Sequence, residues 1–197
     1  MDQLYLIRHA ETDWNVERRL QGHADRPLSV RGRSQAVALG AHLRNIHFDA
    51  VFCSDLWRAR DTTVRAGFVA ASAGRIWREF DVGRWSGRLI EDIITRDADA
   101  YSRWRSGYCA PPGGESWQAF ESRIRRGLAG LEGVPGRVLL VTHSGVIRAI
   151  MQIMLGSALG KLATVGHASV SVLDLKTGPN MTLYNFTATE VGEADAE

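Results

Sequence analysis

Short apolar runs that stop abruptly at polar residues punctuate this chain. Leu4-Tyr5-Leu6-Ile7 ends at Arg8-His9, Ala50-Val51-Phe52-Cys53 ends at Ser54, and Val138-Leu139-Leu140-Val141 ends at Thr142-His143. Runs of four are too short for a buried helix, and their lack of alternation predicts strands covered on both faces, as in a parallel sheet. Ile76-Trp77, stopping at Arg78-Glu79, predicts one more short strand. Helical spacing fills the intervals. The run from Arg31 to about Arg44 places Ala36, Val37, Leu39 and Leu43 at that spacing behind Ser29 as N-cap, with Gly32 and Gly40 expected to weaken it slightly. Ser54 is placed to cap a helix carrying Arg58 one turn in. Trp117, Phe120, Ile124, Leu128 and Leu131 mark the inner face of another helix, and Arg123, Arg125 and Arg126 its solvated face. The stretch after His143 is apolar nearly all round, which predicts a helix that is buried or used in a subunit contact, so a homodimer is one arrangement to expect.

Three further segments complete the outline. Glu11 to Pro27 is polar and reads as a loop over the sheet edge. From Phe80 to Gly114 the composition turns aromatic and charged, predicting a lid at about 80–114, with a helix through Ile90, Ile93, Ile94, Tyr101 and Trp104 and a closing turn at Pro111-Pro112-Gly113-Gly114. Ala168 to Val172 alternates, Gly178-Pro179-Asn180 turns, and Met181 to Phe186 returns, which predicts an antiparallel hairpin at a sheet edge. The fold class expected is α/β: a three-layer sandwich with a mostly parallel central sheet flanked by helices, a small lid and a C-terminal antiparallel hairpin. One domain over 1–189 and a loose acidic tail over 190–197 account for the 197 residues.

Composition narrows the function without choosing it. A net charge of +2, with 24 Lys and Arg against 22 Asp and Glu, gives no basis for a nucleic-acid or membrane-surface partner. The two cysteines, Cys53 and Cys109, have no paired spacing and are expected to be reduced. Neither a signal-peptide run nor a membrane-length apolar stretch is present, so a cytoplasmic location is the default. No nucleotide loop of the G-x-x-x-x-G-K type and no H-E-x-x-H occurs, so no cofactor and no metal are expected.

The chemistry begins where the strands end. In an open α/β sheet the carboxyl edge of the strands is where ligands bind, and a cation and an imidazole side by side there point to an anion under nucleophilic attack. His143 stands at the end of a second strand, so the two histidines can meet at one edge. With Leu6-Ile7-Arg8-His9-Ala10-Glu11-Thr12, Ser54-Asp55-Leu56-Trp57-Arg58-Ala59, Arg78-Glu79-Phe80-Asp81-Val82-Gly83-Arg84-Trp85 and Val141-Thr142-His143-Ser144-Gly145 in that order, the chain resembles the histidine phosphatase superfamily, whose fold is shared with phosphoglycerate mutases. The resemblance runs from residue 4 to about 186.

It implies that His9 is the nucleophile, that Arg8, Arg58 and His143 hold the transferring phosphoryl group, and that Glu79 is the general acid, with Glu11 and Asp81 as rivals. The residue chemistry agrees, since two neighbouring guanidiniums disfavour an imidazolium and keep a nucleophilic imidazole neutral. His143 is expected to act as a donor and a positive charge. Asn15, Gln21, Gly22 and Ser144 are candidates for contacts to phosphate or substrate. Ala10 and Ser144 replace glycines usual in the family, and each is expected to narrow or reposition the pocket. The function implied is metal-independent hydrolysis of a small phosphorylated metabolite, such as a sugar phosphate, a phosphoglycerate derivative or ribazole phosphate, through a phosphohistidine. The alternatives are mutase-type phosphoryl transfer, which the short interval between Glu79 and His143 disfavours, and a catalytically silent binding module. Trp57, Trp85 and Trp104 are candidate walls for the substrate.

Overall fold

The computed structural model describes residues 1–156 and 163–188, so the tail expected at 190–197 lies outside the described residues. In chain order the elements are β1 (Gln3–Arg8), a single helical turn α1 (Asp13–Val16), α2 (Val30–Leu43), β2 (Ala50–Ser54), α3 (Trp57–Arg65), β3 (Ser72–Gly74), α4 (Ile90–Arg105), α5 (Trp117–Ala129), β4 (Arg137–Thr142), α6 (Ser144–Leu155), β5 (Ser169–Asp174) and β6 (Asn180–Thr187). The sheet order is β3-β2-β4-β1-β5-β6. Its first four strands are mutually parallel, and β5 and β6 run antiparallel to their neighbours.

Successive strand residues face opposite sides of a sheet, so an unbroken apolar run requires cover on both faces. Here Leu4, Leu6, Val138 and Leu140 pack with Phe120, Ile124, Ile147 and Ile150 of α5 and α6. Ile7, Leu139 and Val141 pack with Ala36, Leu39, Leu43 and Ala59 of α2 and α3. Each fully buried Leu or Ile side chain contributes about 1.5–3 kcal/mol relative to exposure. The result is the expected three-layer α/β arrangement. Helix α6 buries Val146, Ile147, Ala149, Ile150 and Met151 within the chain itself, so those residues need no second subunit to cover them.

Several local expectations are corrected. Ile76-Trp77 is not a strand but part of a 3-10 turn over Arg75–Trp77, and the strand is the small-residue stretch Ser72–Gly74, paired only with β2. An edge strand does not need an apolar run, whereas the Trp77 indole is buried against Gly127, where a Cβ would lie 2.6 Å from the ring. Ser29 does cap α2, its hydroxyl accepting from Gly32 N–H at 2.9 Å. Gly32 is there for close approach rather than as a weakness, because a Cβ at that position would stand 2.0 Å from the Glu11 carbonyl oxygen. The C-terminal hairpin forms as expected, with β6 alone on the edge and β5 paired to β1. No helix among the described residues is long and apolar enough to cross a membrane.

Candidate active site

The register of the two central strands builds the site. β1 and β4 pair in parallel with Arg8 opposite Thr142, so His9 and His143 follow side by side at the same edge. His9 N–H donates to the Thr142 carbonyl at 2.8 Å, and the two imidazole centroids are 5.1 Å apart. Nδ1 of His9 lies 2.8 Å from the Ala10 carbonyl oxygen. A carbonyl can only accept, so Nδ1 carries the proton and the lone pair of the neutral ring is on Nε2. The His9 pKa is held well below the usual imidazole range, first by burial and then by the Arg58 and Arg8 guanidiniums.

Arg58 projects from the first turn of α3 and is only 1% exposed. It donates to the Gly22 carbonyl at 2.7 Å and the Ala24 carbonyl at 2.8 Å, and pairs with Asp25 at 3.4 Å. The Asp25 carboxylate also accepts from the backbone N–H groups of Trp57 and Arg58, capping a helix whose N-cap is Leu56, so Ser54 is not the cap. Ser54 Oγ instead lies 2.8 Å from His143 Nε2. Arg8 donates to the Val165 carbonyl at 2.6 Å, and its pKa is pushed down to about 10 by burial, with Glu79 acting in the opposite direction, so it remains cationic at neutral pH. Nε of Arg8, Nε of Arg58 and Nδ1 of His143 are buried without a protein partner. Unsatisfied polar atoms of this kind, gathered at the N-terminus of α6, suit an oxyanion.

His143 departs from expectation as a positive charge. Burial first, then Arg58, His9 and Arg8, hold its pKa well below the usual range, so in the protein alone it is neutral. Glu79 is fixed at both oxygens, Oε1 accepting from Phe80 N–H at 2.8 Å and Oε2 from Gly145 N–H at 3.1 Å. Gly145 permits that approach, because a Cβ there would lie 2.2 Å from Glu79 Oε1. The segment before Glu79 is clamped by Arg123, which donates to the carbonyls of Ile76, Arg78 and Glu79 and pairs with Glu115 at 2.8 Å. Arg123 was expected on a solvated face with Arg125 and Arg126; its side chain is only 14% exposed, and the clamp is the reason.

The loop candidates divide. Asn15 and Ser144 line the cleft with Gln21 and Gly22. Asn15 Oδ1 is used by Thr12 in a capping box, leaving its amide nitrogen as the group able to donate to a substrate. Gln21 donates to Thr12 Oγ1 at 2.7 Å, and Gly22 offers a carbonyl to Arg58 rather than serving as an oxyanion donor through that atom. Ala10 is fully buried with Ala36 and Ala59 on the far side of the sheet edge, so its methyl does not narrow the cleft, whereas Ser144 does line it. The rival acid Glu11 accepts from Ser29 Oγ at 2.7 Å, and Asp81 Oδ1 from Gly83 N–H at 2.9 Å. Neither carboxyl lines the cleft.

The cleft has a volume of about 210 Å³. Away from His9 its wall is aromatic, with Phe80, Trp104 and Trp117. Trp104 is the one expected tryptophan found there. Trp85 is buried in the core and Trp57 is 55% exposed elsewhere. Sequence reasoning missed Trp117, Asp25 and the Ser54–His143 contact; no local pattern marks Asp25, because it reaches α3 from the loop between α1 and α2, more than thirty residues away.

Fold and site together define a class: an α/β protein that gathers buried neutral histidines and fixed guanidiniums at the carboxyl edge of its parallel strands. The chain belongs to the histidine phosphatase superfamily (branch 1), whose family profile matches residues 4–187. Among its relatives is the adenosylcobalamin/alpha-ribazole phosphatase of Escherichia coli K12, 34% identical over 161 residues, covering 78% of this chain and 79% of that protein. A Salmonella choleraesuis protein named probable phosphoglycerate mutase GpmB is also 34% identical, over 79% of this chain and 76% of its own length. The mycobacterial glucosyl-3-phosphoglycerate phosphatase solved with VO3 superimposes with a TM-score of 0.87 at 31% identity, covering 95% of this chain and 100% of that chain. Family and relatives make this chain a phosphoric monoester hydrolase.

Proposed function

We propose that the chain hydrolyses small phosphate monoesters through a phosphohistidine on His9, without a metal ion. The observation that carries this reading is the His9–Ala10 contact, which leaves an unprotonated Nε2 beside two buried guanidiniums. In the first step the Nε2 lone pair forms the N–P bond as the ester P–O bond breaks, and protonated Glu79 delivers its proton to the departing oxygen. Arg8, Arg58 and His143 stabilise the charge on the three equatorial oxygens. In the second step water attacks phosphorus, Glu79 takes the proton, and the N–P electrons return to His9. Donors set before reaction cost no reorganisation when charge develops, and a single one is worth about 10²–10³ in rate.

Among the described residues no group of three or more His, Cys, Asp or Glu is arranged to hold a metal. Identity is the same for the phosphatase and the mutase-named relative, so it does not separate hydrolysis from mutase transfer. A panel of sugar phosphates, phosphoglycerates and ribazole phosphate, assayed for phosphate release with chelator present, tests the proposal. Release that disappears in His9→Ala is the expected result; activity restored only by added zinc or magnesium would contradict it.

A further inference from the structure

Ser54 and His143 are both fully buried, and the 2.8 Å contact between Ser54 Oγ and His143 Nε2 takes no part in the reaction steps given above. We propose that Ser54 is a positioning residue: its hydroxyl donates to His143 Nε2, which holds the proton of the neutral ring on Nδ1 and makes that nitrogen a hydrogen-bond donor to the transferring phosphoryl group. This deepens the phosphohistidine reading and rests on it.

The sheet order sets the contact. β4 lies between β2 and β1, with Cys53 opposite Val141 and Arg8 opposite Thr142, so His143 has the end of β2 on one flank and His9 on the other. A count of protons then gives the direction of the bond. A serine hydroxyl has one proton to donate and two lone pairs. Ser54 Oγ accepts from the Leu56 N–H at 3.3 Å, and among the described residues the acceptor within reach of its own proton is His143 Nε2. Nε2 therefore presents a lone pair. The ring is neutral in the protein alone, burial being the first cause, and a neutral imidazole that accepts at one nitrogen donates from the other. That other nitrogen, Nδ1, is buried without a protein partner. A buried N–H lacking an acceptor is satisfied by an oxyanion, whereas the opposite tautomer would turn a lone pair toward the phosphoryl oxygens and oppose their charge. His9 uses the same tautomer to the opposite end. The Ala10 carbonyl takes its Nδ1 proton and leaves the Nε2 lone pair to attack, while Ser54 takes the Nε2 lone pair of His143 and leaves the Nδ1 proton to donate.

The experiment reads the tautomer directly. Long-range proton–nitrogen correlation spectra of the full chain, carrying nitrogen-labelled histidine and recorded at neutral pH, should show His143 protonated on Nδ1 and unprotonated on Nε2, the resonances being assigned by their loss in His143→Gln. Ser54→Ala should lose that single tautomer. It should also slow single-turnover phosphorylation of His9 by about tenfold, the worth of one hydrogen bond, and equally for an alkyl phosphate and nitrophenyl phosphate, because leaving-group protonation is not involved. Ser54→Thr, which keeps the hydroxyl, should restore both the tautomer and the rate. A proton on Nε2 of His143 in the parent, alone or together with one on Nδ1, would overturn the proposal without any Ser54 variant having to fold, and His9-dependent turnover would then leave the phosphatase reading intact. A Ser54→Ala protein that keeps the parent tautomer, whatever its rate, would mark a packing role and overturn it too. No turnover of any phosphate ester would remove the phosphatase reading and the role in transfer with it.

Discussion

Glu79 and Arg58 both line the cleft with His9, and their proposed roles predict different losses. In the proposed mechanism Arg58 stabilises charge on the transferring group whatever departs. Glu79 matters in the first step only when the departing oxygen needs a proton. Glu79→Gln should therefore slow phosphorylation of His9 by an alkyl phosphate at least tenfold more than by nitrophenyl phosphate, whose leaving group departs as a stable anion. Single-turnover measurement is required, because water attack on the phosphoenzyme also calls on Glu79. Equal losses on the two esters would remove Glu79 as the acid. The position of its carboxyl rests on neighbours two elements away: Gly145 at the start of α6 and the Arg123 clamp from α5.

At the level of elements, what the sequence made legible was whatever depends on local pattern. The runs at Leu4–Ile7 and Val138–Val141 are strands covered on both faces, with only Tyr5 half-buried, and Ser29 marks the start of α2 because its hydroxyl answers an orphan N–H. The meeting of His9 and His143 was legible because both strand ends reach the same edge of one parallel sheet. Illegible was whatever depends on a distant backbone. Ser72–Gly74 has no apolar signature because an edge strand borrows its order from β2. Gly32 looked like a weak point in α2, yet a side chain there would collide with the loop that follows His9. Arg123 fell on the outer face of a helical wheel, but the Ile76–Glu79 segment covers that face and takes its hydrogen bonds. Trp117 was read as core, and its exposure to the cleft is set by how α5 meets Phe80 and Trp104.

At the scale of the whole molecule the buried histidines tie stability to pH. His9, His143 and His167 all have pKa values below the ordinary 6.5 in the folded chain, with burial the leading cause and His167 at about 3. The unfolded chain binds protons at these groups below pH 6.5 and the folded chain does not, so stability is full above that pH and falls as pH drops below it. Each histidine contributes a slope of up to about 1.4 kcal/mol per pH unit. Asp55, whose pKa is lowered by its Arg78 partner, adds acid sensitivity only nearer its ordinary 3.8. Denaturant titrations between pH 7.5 and 4.5 should show declining stability with proton uptake on unfolding, and a flat profile would contradict the neutral, buried histidines. Neutrality of His9 in turn underlies the central claim, that it accepts the phosphoryl group. Native protein mixed with substrate and quenched rapidly under alkaline conditions should carry up to one phosphoryl group per chain, stable in base, labile in acid and absent from His9→Ala. A phosphoenzyme that persists in His9→Ala, or rapid turnover in which none can be trapped at any time point, would contradict the account.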